Sequence, residues 1–503
     1  MKQAKLILDS AYAISPIDPR IYGSFVEQLG RAVYTGLYEP THPTADANGF
    51  RRDVMRLVQQ LRVPVVRYPG GNFVSGFRWE DSIGPRESRP TRLDLAWNST
   101  ETNEFGLHEF CEWAKIAQTD VMYAVNLGTG TPDDARNIVE YANHKGGTYY
   151  SDLRIRNGAP DPLNIRLWCL GNEMDGSWQI GAKTATEYGR IASEAAKMMK
   201  WTDSSIELVA CGSSSSEMPT FGSWEWTVLD ETYEHVDYLS LHRYYGNPHN
   251  DTSDFLASTM DLNGYIQTVA AISRGIRGKK RSRHTVQLSL DEWNVWYHSH
   301  GQDAQLHRDH PWGQALPLIE DVYNFEDALL VGLMLITILK NADTVKIACL
   351  AQLVNVIAPI MTSPGGGAWA QTIYYPFMQA SLYGRGTSLL PQITCDRFDT
   401  RHYSDVPVVD AAAVLSDDQT ITVFAVNRDL AEPTALTCDF RALEGYTLVS
   451  HSVLHHDDMK AVNTEDDPFR VVPHDVKPEM NDGQVILPPA SWNVLRLVRT
   501  QQK

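Results

Sequence analysis

The sequence predicts an α/β protein: a (β/α)8 TIM barrel joined to a C-terminal all-β sandwich of jelly-roll-like form. Three observations carry that expectation. Eight short apolar runs follow one another from about residue 20 to about residue 355. Longer helix-like segments separate them, which is the arithmetic of eight strand–helix units. After about residue 380 the helical texture stops, and β-rich segments broken by Asp, Asn, Gly and Pro take over. The expected boundaries are residues 16–380 for the barrel and 381–503 for the sandwich, with residues 1–15 adding to the sandwich.

The opening AKLILDS (4–10) alternates in polarity and reads as an extra sandwich strand. The eight barrel runs are IYGSFVEQ (21–28), VPVVRYPGG (63–71), DVMYAVNLG (120–128), IRLWCLGNE (165–173), IELVACGSS (206–214), VDYLSLHRYY (236–245), VQLSLDEWNVW (286–296) and VKIACLAQLVN (345–355). They are nearly continuous in apolar character, as parallel strands buried on both faces require. ATEYGRIASEAAKMMKW (185–201) has helical spacing, and FEDALLVGLMLITILKNA (325–342) is apolar enough to be a buried helix. An open doubly wound sheet is the competing architecture, but no GxGxxG follows the first run. The later segments (406–428, 435–440, 446–455 and 484–499) read as an antiparallel sandwich.

Charge narrows the function. Lys and Arg total 44 against 62 Asp and Glu, a formal net charge of −18. Such a chain repels phosphate and anionic lipid, so nucleic acid and membrane are excluded as partners and neutral molecules favoured. No stretch reaches the ~18 consecutive apolar residues of a spanning helix. The N-terminus shows no apolar core with a small-residue cleavage site. The six cysteines lack CxxC pairing and read as free thiols in a reducing compartment, so a cytoplasmic location is expected.

A barrel of this type works at the C-terminal ends of its strands. Those ends deliver Glu27, Arg67 with Asn72, Asn126, Asn172 with Glu173, His242 with Tyr244, Glu292, and Gln352. Glu173 and Glu292 lie in apolar, aromatic sequence, LWCLGNEMDG and LSLDEWNVWYH. Two carboxylates in a partly desolvated cleft meet the requirement of glycoside hydrolysis: one protonates the leaving oxygen while the other attacks or activates water. A single strand-end Glu would equally serve as a salt bridge or a cap. Arg67 by charge and Tyr244 by its phenolic donor are placed to hold Glu292 ionised, against the plainer roles of interior ion pair and rim aromatic. Gly171 is expected to give the backbone room at the rim.

YGSFVEQLGR, VRYPGGNFVSGFRWEDSIGP, LWCLGNEMDG, LSLHRYYGN, LDEWNVW, AQLVNVIAPI and the closing LPPASWNVLRL together resemble the α-L-arabinofuranosidases of glycoside hydrolase family 51. The match runs in order through most of the barrel. The resemblance implies a retaining, exo-acting enzyme that releases terminal L-arabinofuranose from arabinan- or arabinoxylan-derived oligosaccharides. It makes Glu173 the general acid/base and Glu292 the nucleophile, with Glu27, Arg67, Asn72, Asn172, Tyr244 and Gln352 lining the sugar subsite. It places Trp97 and Trp296 near the aglycone, where rim packing is the alternative. It implies no cofactor and a homohexamer.

YHSHGQDAQLHRDHPW (297–312) gathers His298, His300, His307, Asp309 and His310, but its spacing matches no zinc pattern and no metal is expected. A polar loop overhanging the cleft is the reading adopted. The His-rich VSHSVLHHDD (449–458) reads as surface. The carboxylate pair does not name the sugar, so β-xylosidase and endoglucanase specificities stay open. So do a metal-dependent barrel hydrolase and a noncatalytic sugar-binding barrel.

Overall fold

The computed structural model describes residues 1–443, 445–480 and 483–499. Eight parallel strands close into a barrel. They are β1 (Gly23–Phe25), β2 (Val65–Tyr68), β3 (Asp120–Val125), β4 (Leu167–Leu170), β5 (Glu207–Ala210), β6 (Tyr238–Tyr245), β7 (Gln287–Val295) and β8 (Val345–Ala351). Each falls inside one of the eight apolar runs. β8 pairs back onto β1 through Cys349–Gly23, Leu350–Ser24 and Ala351–Phe25, so no edge is left open.

Helices cover the outside, and their sequences explain their limits. Ala185–Thr202 begins in a capping box: the Glu187 carboxylate accepts from the Thr184 N–H at 2.9 Å while the Thr184 hydroxyl accepts from the Glu187 N–H. It buries Tyr188, Ala192, Ala195, Ala196 and Met199, one stripe at helical spacing. Phe325–Lys340 is buried from Phe325 through Leu339 because the barrel lies on one side and the sandwich on the other. Trp492 of the sandwich packs directly on this helix. A Cβ at Gly332 would come within 2.6 Å of the Trp492 ring, so that crossing needs glycine. Among the described residues no helix is long and apolar enough to cross a membrane.

The sandwich stacks a seven-stranded sheet on a four-stranded one over a core that includes Leu6, Leu8, Val409, Val423, Leu436, Leu487 and Leu495. Lys2–Ile7 lies between Gln392–Cys395 and Thr434–Asp439 in the smaller sheet. The pairing with Thr434–Asp439 is parallel, which corrects the purely antiparallel expectation. His451 also departs from the surface reading. It is 4% exposed and its Nε2 shares a 3.0 Å hydrogen bond with Asn493 across two paired strands. All six cysteines are free, and Cys111, Cys169, Cys211 and Cys349 are buried.

Candidate active site

The C-terminal barrel mouth opens into a cleft of about 540 Å³ lined by Glu27, Asn72, Trp97, Glu173, Tyr244, Glu292, Trp296 and Gln352. That volume is ordinary for a small-molecule site. Arg67 and Asn172 lie just beneath, buried and bonded to these residues.

Glu292 owes its position to an irregularity in β7. Against β6 the register runs Ser240–Ser289 and then His242–Glu292; against β8 it runs Leu290–Ala348 and then Trp293–Leu350. β7 therefore carries one extra residue at this point relative to both neighbours, a β-bulge. Adjacent residues of a regular strand face opposite sides. The bulge lets Asp291 and Glu292 both face the barrel interior. Asp291 is 1% exposed; it accepts from the Ser240 hydroxyl and lies 3.8 Å from Arg67 Nε. One residue on, Glu292 Oε1 accepts from Arg67 Nη1 at 2.6 Å and Oε2 accepts from the Tyr244 hydroxyl at 2.8 Å.

Arg67 is a branch point. Its second terminal nitrogen donates to Asn172 Oδ1 at 2.6 Å. That fixes the Asn172 amide: with the carbonyl oxygen engaged, the NH2 faces Asn72 Oδ1 at 3.4 Å and Gln179 Oε1 at 3.5 Å, long contacts that a sugar hydroxyl would replace.

Glu173 sits differently. Oε1 pairs with His242 Nδ1 at 2.9 Å, and Oε2 accepts from the half-exposed Trp178 indole at 2.8 Å. The chain turns sharply here, with Gly171 at φ +91° and Glu173 itself at φ +44°. A Cβ at Gly171 would meet Met174 at 3.3 Å, a tight but small clash, so the left-handed backbone rather than room calls for glycine. The Glu173 conformation is uncommon for a residue with a Cβ and is the kind of strain that clusters at working sites.

Glu27 closes the other end. Its Oε1 accepts from the Phe73 N–H and from the Trp97 indole, both at 2.8 Å. The Gln352 side-chain oxygen accepts from the Glu27 N–H at 2.9 Å. A Cβ at Gly71 would fall 2.2 Å from Glu27 Oε2, which explains the second glycine of VRYPGGN. Burial pushes the Glu27 carboxyl up to about 8, against the two N–H donors that favour its ionised form. Trp296 stands edge-on to Tyr244 at 5.5 Å, and its own N–H has no protein partner.

His242 was legible only as a strand end, and Asp291, Trp178 and Gln179 were not singled out at all. Burial pushes His242 down, but Glu292, Asp291 and Glu173 outweigh it and hold the imidazole up to about 10. Glu173, His242 and Glu292 each place a ligand-type atom within 4.8 Å of the others, the only such triad among the described residues. A cation there would have to displace the imidazole proton and compete with the Arg67 guanidinium, 2.6 Å from Glu292. Asn126 turns away from the cleft; its side-chain oxygen accepts from the backbone N–H groups of Gly128, Thr129 and Gly130. In the His-rich loop, His298 pairs with Asp327 at 2.8 Å and His300 stands edge-on to Trp296 at 5.2 Å, so these histidines do not converge.

Two domain families match the chain. The α-L-arabinofuranosidase 1 domain covers residues 57–264, and the α-L-arabinofuranosidase C-terminal domain covers residues 291–491. The chain is 57% identical to the intracellular exo-α-(1→5)-L-arabinofuranosidase of Halalkalibacterium halodurans, over 98% of this chain and 99% of that one. It is 47% identical to the exo-α-(1→6)-L-arabinofuranosidase of Bifidobacterium longum, over 99% of this chain and 98% of that one. The solved structure of AbfB, a family 51 α-L-arabinofuranosidase from Bifidobacterium longum, superposes with a TM-score of 0.94 at 44% identity, covering 99% of both chains. A (β/α)8 barrel that presents two glutamates from β4 and β7 to one cleft defines a glycoside hydrolase. The chain belongs to the α-L-arabinofuranosidases of glycoside hydrolase family 51.

Proposed function

We propose that the enzyme removes terminal L-arabinofuranose by double displacement, with Glu292 as nucleophile and Glu173 as general acid/base. The observation that carries this reading is the unequal pair of carboxylates. One oxygen of each lies within 4.8 Å of the other. That is close to the ~5–5.5 Å of retaining pairs and well short of the ~6.5–9.5 Å of inverting ones. Glu292 is clasped by Arg67 and Tyr244, as a nucleophile that must stay ionised and aimed requires. Glu173 meets the cleft beside the exposed Trp178, where a leaving group departs and water enters.

Glu292 would attack the anomeric carbon as the glycosidic bond breaks, and Glu173 would give its proton to the departing oxygen. Glu173 would then take a proton from water, and the resulting hydroxide would release arabinose from the ester. Asn172, with its NH2 turned out, donates to a sugar hydroxyl. Asn72, Glu27 and Gln352 complete the arabinose subsite, and Trp97 and Trp296 form apolar walls.

α-(1→5)-linked arabinan fragments are the proposed natural substrates, supported by the name of the Halalkalibacterium halodurans relative. Because the Bifidobacterium longum relative at 47% identity is named for α-(1→6) linkages, a linkage panel is part of the test. A cytoplasmic location is supported by the word intracellular in the former name. The homohexamer comes from the family resemblance, and sedimentation of the purified chain tests it.

The central experiment compares Glu173→Ala on aryl arabinofuranosides with good and poor leaving groups. The variant should keep much more activity on the former, and added azide should restore turnover there. Equal loss on both, with no azide effect, would sink the assignment. EDTA should leave wild-type activity unchanged.

A further inference from the structure

The unusual feature of this site is a histidine wedged among three carboxylates. His242 Nδ1 lies 2.9 Å from Glu173 Oε1 and 3.5 Å from Glu292 Oε2, while Nε2 lies 3.3 Å from Asp291 Oδ1. The ring is 2% exposed, so water cannot reorient it. Asp291 is itself fixed by the Ser240 hydroxyl and by Arg67. Among the described residues, the cations that pair with this group are His242 and Arg67. Asp175, beside Glu173, adds a further carboxylate, engaged by the Ser214 N–H at 3.0 Å.

We propose that His242, clamped from behind by Asp291, is a positioning residue that decides which oxygen of Glu173 carries the catalytic proton. Because Oε1 is committed to the imidazole N–H, Oε2 is the oxygen left for proton traffic. Oε2 faces Trp178 at the cleft edge; its lone pair accepts the indole N–H, and its proton points to the leaving oxygen. In the first half-reaction the Oε2–H bond breaks and the proton goes to the leaving oxygen as Glu292 bonds to the anomeric carbon. In the second half, water gives a proton back to Oε2 as its oxygen displaces Glu292. Throughout, the imidazolium donates to Oε1 and sets its positive charge beside the carboxylate that the second step uses as base. The bulge in β7 is what makes this possible, because without it Asp291 would face away from the ring.

This inference rests on Glu173 being the acid/base, and its test separates the two. The pH dependence of kcat/KM is measured on an arabino-oligosaccharide, whose poor leaving group demands a protonated Glu173. Removing the cation in His242→Asn should move the alkaline limb upward by about 1–3 pH units, the shift expected when a charge within ~4–6 Å is lost. It should also slow the second half-reaction, seen as a lower kcat on an aryl arabinofuranoside with a good leaving group. His242→Gln, which keeps the bulk but loses the Nδ1 donor, should shift the limb the same way and serves if the Asn variant fails to fold. An unmoved alkaline limb, with activity lowered evenly on both substrates, would overturn the inference. If Glu173→Ala is rescued by azide while the limb in the His242 variants stays put, only the His242 role falls. If azide fails as well, the acid/base reading falls with it.

Discussion

Tyr244→Phe isolates one hydrogen bond to Glu292, the proposed nucleophile. The phenolic hydroxyl donates to Glu292 Oε2 at 2.8 Å, and nothing else in the ring depends on it. The edge-on contact with Trp296 at 5.5 Å survives in phenylalanine. After the change, Oε2 retains only the 3.5 Å approach of His242 Nδ1, while Oε1 keeps Arg67. A hydrogen bond to a charged group contributes about 1.5–3 kcal/mol. If that bond aims Glu292 along the line of attack, its loss should lower kcat/KM roughly 10- to 150-fold. The assay is initial-rate kinetics on an aryl α-L-arabinofuranoside beside thermal melting of both proteins. The loss should appear mainly in kcat, with melting little changed. A kcat/KM within threefold of wild type, or a loss confined to KM, would refute the reasoning and leave Arg67 and His242 as the supports of Glu292.

Arg67→Met should destabilise the protein by about 3–5 kcal/mol at pH 8, because it strands buried carboxylates. Burial pushes Asp291 up, but His242 and Arg67 outweigh it and hold the group low, so its contribution is present above the unfolded pKa and lost in acid. In the variant Asp291 regains its proton more easily, so denaturant melts should show the gap to wild type narrowing from pH 8 to pH 5. Glu27 has the opposite sign. Its folded pKa of about 8 lies above the unfolded value, so its contribution is full at low pH and lost as pH rises through about 8. Glu27→Gln should therefore melt closer to wild type, or above it, at pH 9 than at pH 6, while its KM for arabinofuranosides rises.

The barrel was legible because burial on both faces leaves a simple trace, as LWCL and the IACLA of VKIACLA show: four or five consecutive apolar residues with no polar alternation. The rim residues were legible because almost every such run stops at a hydrogen-bonding or ionisable side chain. Asp291 was hidden for a physical reason. A period of two sends one member of any adjacent pair outward, and only the pairing of β7 with β6 and β8 shows that Asp291 and Glu292 face the same way. Trp178 was hidden because it reaches Glu173 from within a turn, where spacing carries no directional information. His451 was misread because a run rich in His and Asp suggests solvent, whereas the paired strand supplies Asn493 as a buried partner. The parallel pairing of the first strand leaves no mark in its own residues.

That first strand has a consequence for how the protein is made. Lys2–Ile7 is synthesised before the barrel, yet both of its partners, Gln392–Cys395 and Thr434–Asp439, are made only after the barrel. At elongation rates of roughly 5–20 residues per second, it waits on the order of 20–90 s with both edges open. Through that interval Leu6 and Leu8, fully buried in the finished protein, stay available to any other unpaired strand on the same or a neighbouring polysome. Insertion of this strand is thus the step that ties the segment made before the barrel to the sheet made after it.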